Sequence, residues 1–421
     1  MDRVWSRRVI SEFLRGGKFT DVAYDGENPA RANHGTTIRM GTDVRINHRW
    51  VSAIYAALAV TACRASNSSP AQAGNGPADL SAGLESFRAS GNVPAMAAAV
   101  FQGNTLIGIG VTGVRKLGDP IKATISDQWH LGSDTKAMTA TLIGLYVDRK
   151  QLHFEDTLGA LFAGETIDAG YRDVTLLQLL QHRGGAPGDV PADIWSQMWA
   201  DGSAPGARLK AVRAMLARPP AQAPGTYVYA NAGYMMAGAA LERVAGATWE
   251  QLIQSELFAP LQMEGCGFGA PGSPNAVDQP WGHATSGNSL IPMQPGPSAD
   301  NPPSLGPAGT VHCPLASWGK FLGQQLAGAR GEESLVTAAT MQRLQTPPAG
   351  GDYAAGWIVT TRSWANGAAL NHVGSNTFWW ADAWLAPSRN LALVVVSNAA
   401  SPSTGPAVDA AFGPLIAKFA P

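Results

Sequence analysis

The chain has 421 residues, of which 45% are apolar and only 14% charged, against about 25% charged in average soluble domains. That length and composition exclude disorder, collagen and coiled coil, and suit one large domain or two lobes. With 30 Lys+Arg against 31 Asp+Glu there is no basic excess to neutralise a phosphate backbone, so nucleic acid is not an expected partner.

The first 73 residues carry 10 of the basic and 6 of the acidic side chains, which leaves the remainder with 20 and 25 and a formal charge of −5. Within this leader, Arg45 and Arg49 precede a mostly apolar run at residues 50–62. Such a run is too short to span a bilayer but suits the core of an export signal. Two exits from it are visible. Val60-Thr61-Ala62-Cys63 resembles a bacterial lipobox, which would make Cys63 a lipidated first residue, and Ala71-Gln72-Ala73 offers a small-residue cleavage site. The Ser-, Asn-, Pro- and Gly-rich stretch 66–77 reads as a tether. Export signals sit at the extreme N-terminus, so Met40 is the expected start and residues 1–39 are expected to fall outside the natural protein. The expected organisation is leader 1–73, tether 74–78 and folded body 79–421, exported to the periplasm and either free or anchored to a membrane through Cys63.

In the body, residues 79–90 read as a helix, and 93–101 and 105–111, joined by the turn Gln102-Gly103-Asn104, read as a hairpin. Residues 133–150, 175–182, 207–216, 232–244 and 248–257 carry apolar side chains at i, i+3, i+4 spacing and read as helices. Gly, Pro, Ser and Asn crowd residues 269–307, expected to be an ordered surface excursion or a pocket rim. Residues 314–326 are amphipathic. Beyond them 368–380 and 391–397 are strand-like around the turn signal Pro387-Ser388-Arg389-Asn390, and 408–419 read as a closing helix. Strands at both ends and helices between predict an α+β fold: an antiparallel sheet formed by both chain ends, flanked by helices, with a mostly helical lobe inserted. The expected division is an α/β lobe of 79–155 and 305–421 and a helical lobe of 156–304.

No Gly-x-Ser-x-Gly elbow, phosphate loop or His-Glu-x-x-His zinc site occurs, and the eight histidines are scattered. Neither a cofactor nor a metal is expected. What remains is Ser133-Asp134-Thr135-Lys136, where the strand-like Trp129-His130-Leu131-Gly132 gives way to an apolar helix. Residues three apart on a helix share a face, so the Lys136 amine can reach the Ser133 hydroxyl. A helix start favours developing negative charge, and burial of the helix would push Lys136 toward its neutral, basic form. With 27 serines and 8 lysines, about 0.5 such spacings arise by chance. A second, Ser317-Trp318-Gly319-Lys320, sits inside the amphipathic 314–326 run and reads as structural. Order discriminates between them. Tyr229-Ala230-Asn231, the only Tyr-x-Asn in the chain, lies 96 residues after Ser133, and His372-Val373-Gly374 follows 143 residues later.

In these three motifs the chain resembles the penicillin-recognising serine hydrolases, which include class C β-lactamases, D-alanyl-D-alanine carboxypeptidases, D-aminopeptidases and family VIII carboxylesterases. Leu179-Leu180-Gln181-His182-Arg183-Gly184-Gly185 resembles the family's LLxHxSG helix end, with Gly184 in place of Ser. Pro224-Gly225-Thr226, Pro307-Ala308-Gly309-Thr310 and Ala355-Gly356-Trp357 fall on further landmarks, and the resemblance covers residues 79–420. It implies a β-lactamase/transpeptidase-like fold. It also implies that Ser133 is the acylated nucleophile, that Lys136 helps to remove its proton, and that Tyr229 is the partner acid and base. Asn231 would orient Lys136 and bind a substrate amide, and the Ser133 and Ser375 N–H groups, beside Gly374, would form the oxyanion hole. A tyrosine, with an ordinary pKa of about 10, needs positive charge nearby to act as a base, so the roles of Tyr229 and Lys136 are coupled.

Where class C β-lactamases carry Lys-Thr-Gly, this chain has His372-Val373-Gly374, without the ammonium and hydroxyl that grip a carboxylate. His372 retains the capacity to donate a hydrogen bond or become charged. The expectation is therefore a carboxylesterase for short-chain or aromatic esters, with weak β-lactam hydrolysis beside it. The alternatives are a D-amino-acid peptidase or amidase, a β-lactamase, and a non-catalytic penicillin-binding or sensor protein. The partner in each case is a small-molecule ester, amide or lactam. One or two of Trp357, Trp364, Phe378, Trp379 and Trp380 are expected to wall the acyl pocket. Cys266 and Cys313 are candidates to pair in an oxidising compartment, a matter of Cα separation that sequence does not settle.

Overall fold

The structure is a computed structural model that describes residues 76–287 and 289–421. The apolar run 50–62, Cys63, the cleavage site at 71–73 and nearly all of the 66–77 tether lie outside the described residues.

Both ends of the body feed one seven-stranded sheet. The first part supplies β1 (Ala78–Asp79), β2 (Ala95–Gln102) and β3 (Thr105–Gly113). Between the ends lie five short strands, β4 (Gln128–His130), β5 (Gly267–Phe268), β6 (Gly282–Ser286), β7 (Ser289–Met293) and β8 (Val311–Pro314). The last part supplies β9 (Ile358–Arg362), β10 (Gly367–Ser375), β11 (Trp380–Ala386) and β12 (Leu391–Ser397). The order β1-β3-β2-β12-β11-β10-β9 joins the two ends at β2 and β12, with Ala99 opposite Val394. Central strands covered on both faces read as continuous apolar runs rather than alternating ones, and every residue of β12 is buried. Pairing is antiparallel throughout except for β1 against β3, which is parallel and makes the sheet mixed rather than wholly antiparallel.

The run 368–380, expected as one strand, is two. β10 stops at Ser375, the chain turns with Thr377 at φ +77°, and β11 begins at Trp380. The turn contains no Gly or Pro and two aromatic residues, so its composition mimics a strand. It is held instead by side chains: Asn376 Oδ1 accepts the N–H groups of Phe378 and Trp379, and Ser375 Oγ accepts that of Thr377.

Helix α1 (Ser81–Ser90) packs on β3, and after a 3₁₀ turn at Gly132–Asp134 comes α2 (Thr135–Asp148). All residues of α2 from Thr135 to Tyr146 are buried; a helix apolar on every side belongs in a core. The inserted helices are α3 (Leu158–Leu161), α4 (Leu176–Leu180), α5 (Ala192–Asp201), α6 (Ala207–Leu216), α7 (Asn231–Ala245) and α8 (Trp249–Ile253). Capping boxes open two of them, Thr175 with Gln178 and Thr248 with Gln251, satisfying N–H groups that a helix start leaves free. The described residues of the segment 269–307 include the β6–β7 pair. Then follow α9 (Gly306–Gly309), α10 (Leu315–Ala329), α11 (Ala338–Gln345) and α12 (Thr404–Phe419).

Two apolar clusters flank the sheet. One fills the space beneath α1 and α12. The other covers the opposite face and continues without a break through α2 and α10 into the inserted helices. Cys266 and Cys313 form a disulfide, their Cα atoms 4.1 Å apart, tying the entry of β5 to β8.

Candidate active site

The turn that leads into Ser133 is set by close backbone approach. Gly132 has φ +51°, and a Cβ there would lie 2.3 Å from Ser375 N; a Cβ on Gly374 would lie 1.9 Å from Leu131 O and 2.8 Å from Ser133 N. Only glycine fits either position. The consequence is that the Gly132–Ser133 and Gly374–Ser375 backbones, on different elements, lie directly against each other. Both residues keep partial exposure, while Lys136 is fully buried.

Lys136 Nζ lies 2.9 Å from Ser133 Oγ, 2.7 Å from Asn231 Oδ1 and 2.7 Å from the Ala308 carbonyl. Burial holds this amine well below its ordinary pKa, against the opposing influence of Asp134. A neutral amine has two hydrogens and one lone pair. The two carbonyl-type oxygens of Asn231 and Ala308 take the hydrogens, and the lone pair is left for the Ser133 hydroxyl.

Tyr229 precedes α7, and its loop is fastened by His182 at the end of α4. The Ala230 N–H donates to His182 Nδ1 (3.0 Å), the Val228 N–H donates to the His182 carbonyl (2.9 Å), and the Tyr229 and His182 rings sit 4.2 Å apart. Lys136 Nζ lies 4.9 Å from the centre of the Tyr229 ring. The hydroxyl of Tyr229 is buried and makes no hydrogen bond of good geometry among the described residues, although Ser133 is near enough to draw its pKa down. Burial wins and pushes the phenol above its ordinary range, so it rests protonated.

The third motif departs from expectation. His372 is fully buried, with Nε2 3.0 Å from Tyr353 Oη and Nδ1 3.6 Å from Asp134 Oδ1. Burial, with Lys136 adding to it, pushes its pKa to about 3. It is thus a neutral internal ring, rather than the charged or substrate-facing donor expected. Val373 packs into the cluster beneath α1 and α12, on the opposite face of the sheet from Ser133, so a missing hydroxyl there is not felt at the site. Gly374 and Ser375 lie against the backbone of Leu131–Ser133.

The tryptophan wall is also corrected. Trp357 donates to Gln325 inside the core, Trp379 stacks on His130 at 5.6 Å, and Trp364 and Trp380 pack on the opposite sheet face. Of the five aromatics, Phe378 alone is half-buried on the turn after Ser375. His182, Tyr227, Tyr229 and Tyr353 form an aromatic cluster, in which Tyr229 comes near Ser133. His182 was visible as a landmark without a role, whereas Tyr353 belongs to no motif and enters only because β9 brings its preceding segment to β10. The second Ser-x-x-Lys is structural: Ser317 Oγ donates to the Glu264 carbonyl and Lys320 Nζ to that of Gln262. No group of three His, Cys, Asp or Glu able to hold a metal occurs among the described residues.

A sequence profile of the Beta-lactamase family matches residues 80–418. Penicillin-binding protein 4 of Amycolatopsis lactamdurans is 28% identical over 181 residues, 42% of this chain and 45% of that protein. The match therefore spans less than half the length of this curated relative. Among solved structures, the octameric penicillin-binding protein homologue from Pyrococcus abyssi superimposes with a TM-score of 0.64 at 20% identity, over 80% of this chain and 76% of its own. SurE superimposes with a TM-score of 0.64 at 21% identity, over 80% of this chain and 74% of its own. At such identities the likeness speaks for the fold, that of the penicillin-binding serine hydrolases. The profile match, running from α1 to α12 on that fold, makes the chain a member of the Beta-lactamase family.

Proposed function

We propose that the chain is an exported serine hydrolase that works through an acyl-enzyme and prefers carboxylic esters, with weak β-lactam hydrolysis. The observation that carries the reading is the 2.9 Å contact of a buried Lys136, whose burial disfavours its charged form, with Ser133 Oγ. In the first half-reaction Lys136 takes the Ser133 proton as Oγ attacks the carbonyl carbon, and the carbonyl electron pair moves onto oxygen, held by the Ser133 and Ser375 N–H groups. Each such donor contributes roughly 3 kcal/mol. Collapse of the adduct expels the alkoxide, which takes a proton from Tyr229; Lys136 restores the proton to Tyr229. Water then attacks the acyl group by the reverse sequence, releasing the acid and Ser133. Asn231, its carbonyl committed to Lys136, has its amide N–H groups left for the substrate.

Ester preference follows from the third motif. With His372 neutral and enclosed, β10 presents no fixed cation to a substrate carboxylate. Similarity to a penicillin-binding protein supports a second reading, in which a β-lactam or D-peptide is the better substrate. A panel of p-nitrophenyl esters, a chromogenic cephalosporin and a D-Ala-D-Ala peptide separates them. The expected result is kcat/KM at least about 100-fold higher for the esters; the reverse order would install the second reading, and a stable adduct without turnover the non-catalytic one. Ser133→Ala should abolish turnover while leaving the unfolding temperature within a few degrees. The Cys266–Cys313 disulfide supports export, since such bonds persist in oxidising compartments. Mass spectrometry of the native N-terminus distinguishes lipidated Cys63 from cleavage after Ala73.

A further inference from the structure

The two N–H groups of the oxyanion hole stand on separate elements, and one carboxylate oxygen joins their supports. His130, fully buried at the end of β4, accepts the Gly132 N–H on Nδ1 (3.1 Å). That leaves its ring proton on Nε2, which sits 2.9 Å from Asp300 Oδ1, bent away from a straight hydrogen bond. On the other side, Asn376, the first residue after β10, donates from Nδ2 to the same Asp300 Oδ1 (3.1 Å) and to the Ala299 carbonyl (3.1 Å). Its own Oδ1 accepts the Phe378 and Trp379 N–H groups, at 3.1 and 3.2 Å, and the Trp379 carbonyl accepts Ser375 Oγ–H at 2.6 Å. The Trp379 ring closes the loop by stacking on His130. Asp300 is 8% exposed, Oδ1 also accepts the Asn301 N–H at 2.7 Å, and the residue comes from the Gly- and Pro-rich segment 269–307.

We infer that Asp300 is the positioning residue of the oxyanion hole: through His130 it sets the turn that presents the Ser133 N–H, and through Asn376 the turn that follows the Ser375 N–H. The inference rests on the acyl-enzyme reading above. Three segments far apart in sequence converge on one oxygen, with the Trp379–His130 stack as a second side-chain link between the two turns. A hole of two donors works only when both aim at one developing oxyanion, and a displacement near 1 Å costs about 100-fold in rate. Asp300 touches no reacting atom, so its effect falls on kcat rather than on ground-state binding.

The test compares the parent chain with Asp300→Ala, Asp300→Asn and Asn376→Ala, using a p-nitrophenyl ester and its thiono counterpart, whose carbonyl sulfur is a poor hydrogen-bond acceptor. Asp300→Ala is expected to lower kcat on the oxygen ester about 10- to 100-fold with KM within about threefold. Because the thiono ester gains little from the hole, its rate should fall much less, and the oxygen-to-sulfur rate ratio should drop at least about tenfold. Asp300→Asn keeps an acceptor for Asn376 and should recover part of that loss. Asn376→Ala severs the second branch alone and should move the ratio the same way; it decides the matter should Asp300→Ala not fold. A folded variant that loses both rates equally, or neither, overturns the inference. If a fluorophosphonate fails to label Ser133 in the parent chain, the acyl-enzyme reading falls and this one with it; labelled parent and unchanged ratios sink this one alone.

Discussion

Lys136 and Asp382 are buried ionisable side chains of opposite type, and burial moves each toward its uncharged form. For Lys136 this sets the pH dependence of the reaction. The amine is a base only when unprotonated, so kcat/KM should rise with pH through a midpoint well below the ordinary lysine value, and Lys136→Arg, which cannot deprotonate, should cost at least about 1,000-fold. Asp382, on β11, accepts from Asn371 Nδ2 at 2.8 Å and is pushed up to about 8 by burial. Its folded pKa is raised, so the stability it contributes is fully present below about pH 4, where the unfolded carboxyl is also protonated, and is lost as pH rises toward 8. Asp382→Asn keeps the acceptor and cannot ionise. It should therefore match the parent at pH 4 and exceed it by a few kcal/mol at pH 9, as urea unfolding at the two pH values would read. At this scale the sequence was informative where partners are local. Ser133 and Lys136 are three apart on one helical turn, whereas the contacts of His372 with Asp134 and Tyr353 depend on strand register, which no local spacing encodes.

Elements meet at this site backbone against backbone. A methyl group on Gly132 or Gly374 would strike main-chain atoms at 2.3 or 1.9 Å, and main chain in a strand or tight turn cannot give way as a side-chain end can. Gly132→Ala and Gly374→Ala should each cost about 3 kcal/mol or more and remove activity. Gly83 is the control: in the first turn of α1, with nothing near its Cβ position, its change to Ala should raise stability by up to about 0.5–1 kcal/mol. Thermal unfolding of the three variants checks the contrast. The same packing explains which elements were readable. The hairpin of β2 and β3 and the long helices advertise themselves by period and by Gly103 at the turn. The Asn376–Trp379 turn does not, because its hydrogen bonds come from side chains and its aromatic residues continue the apolar pattern of the strands on either side.

Across the whole molecule, strands from the two ends of the body pair at β2 and β12, so the fold closes only when its C-terminal third is in place. That architecture was legible from apolar runs at both ends with helices between; the parallel β1–β3 edge was not, two residues being too few to carry a pattern. The disulfide joins Cys266 to Cys313, 47 positions apart, and Cys313 on β8 lies opposite Trp129 of β4. Replacing both cysteines with Ser should lower stability by about 2–4 kcal/mol while leaving the ester rate within about threefold, read by thermal unfolding and kinetics together. The central claim, that one serine in this fold becomes acylated, is tested most directly by trapping it. The intact chain is incubated with a fluorophosphonate, digested, and the adduct located by mass spectrometry. A single adduct on Ser133 that Lys136→Ala prevents is expected; an adduct on Ser317 or any other residue, or none on a folded chain, overturns the assignment.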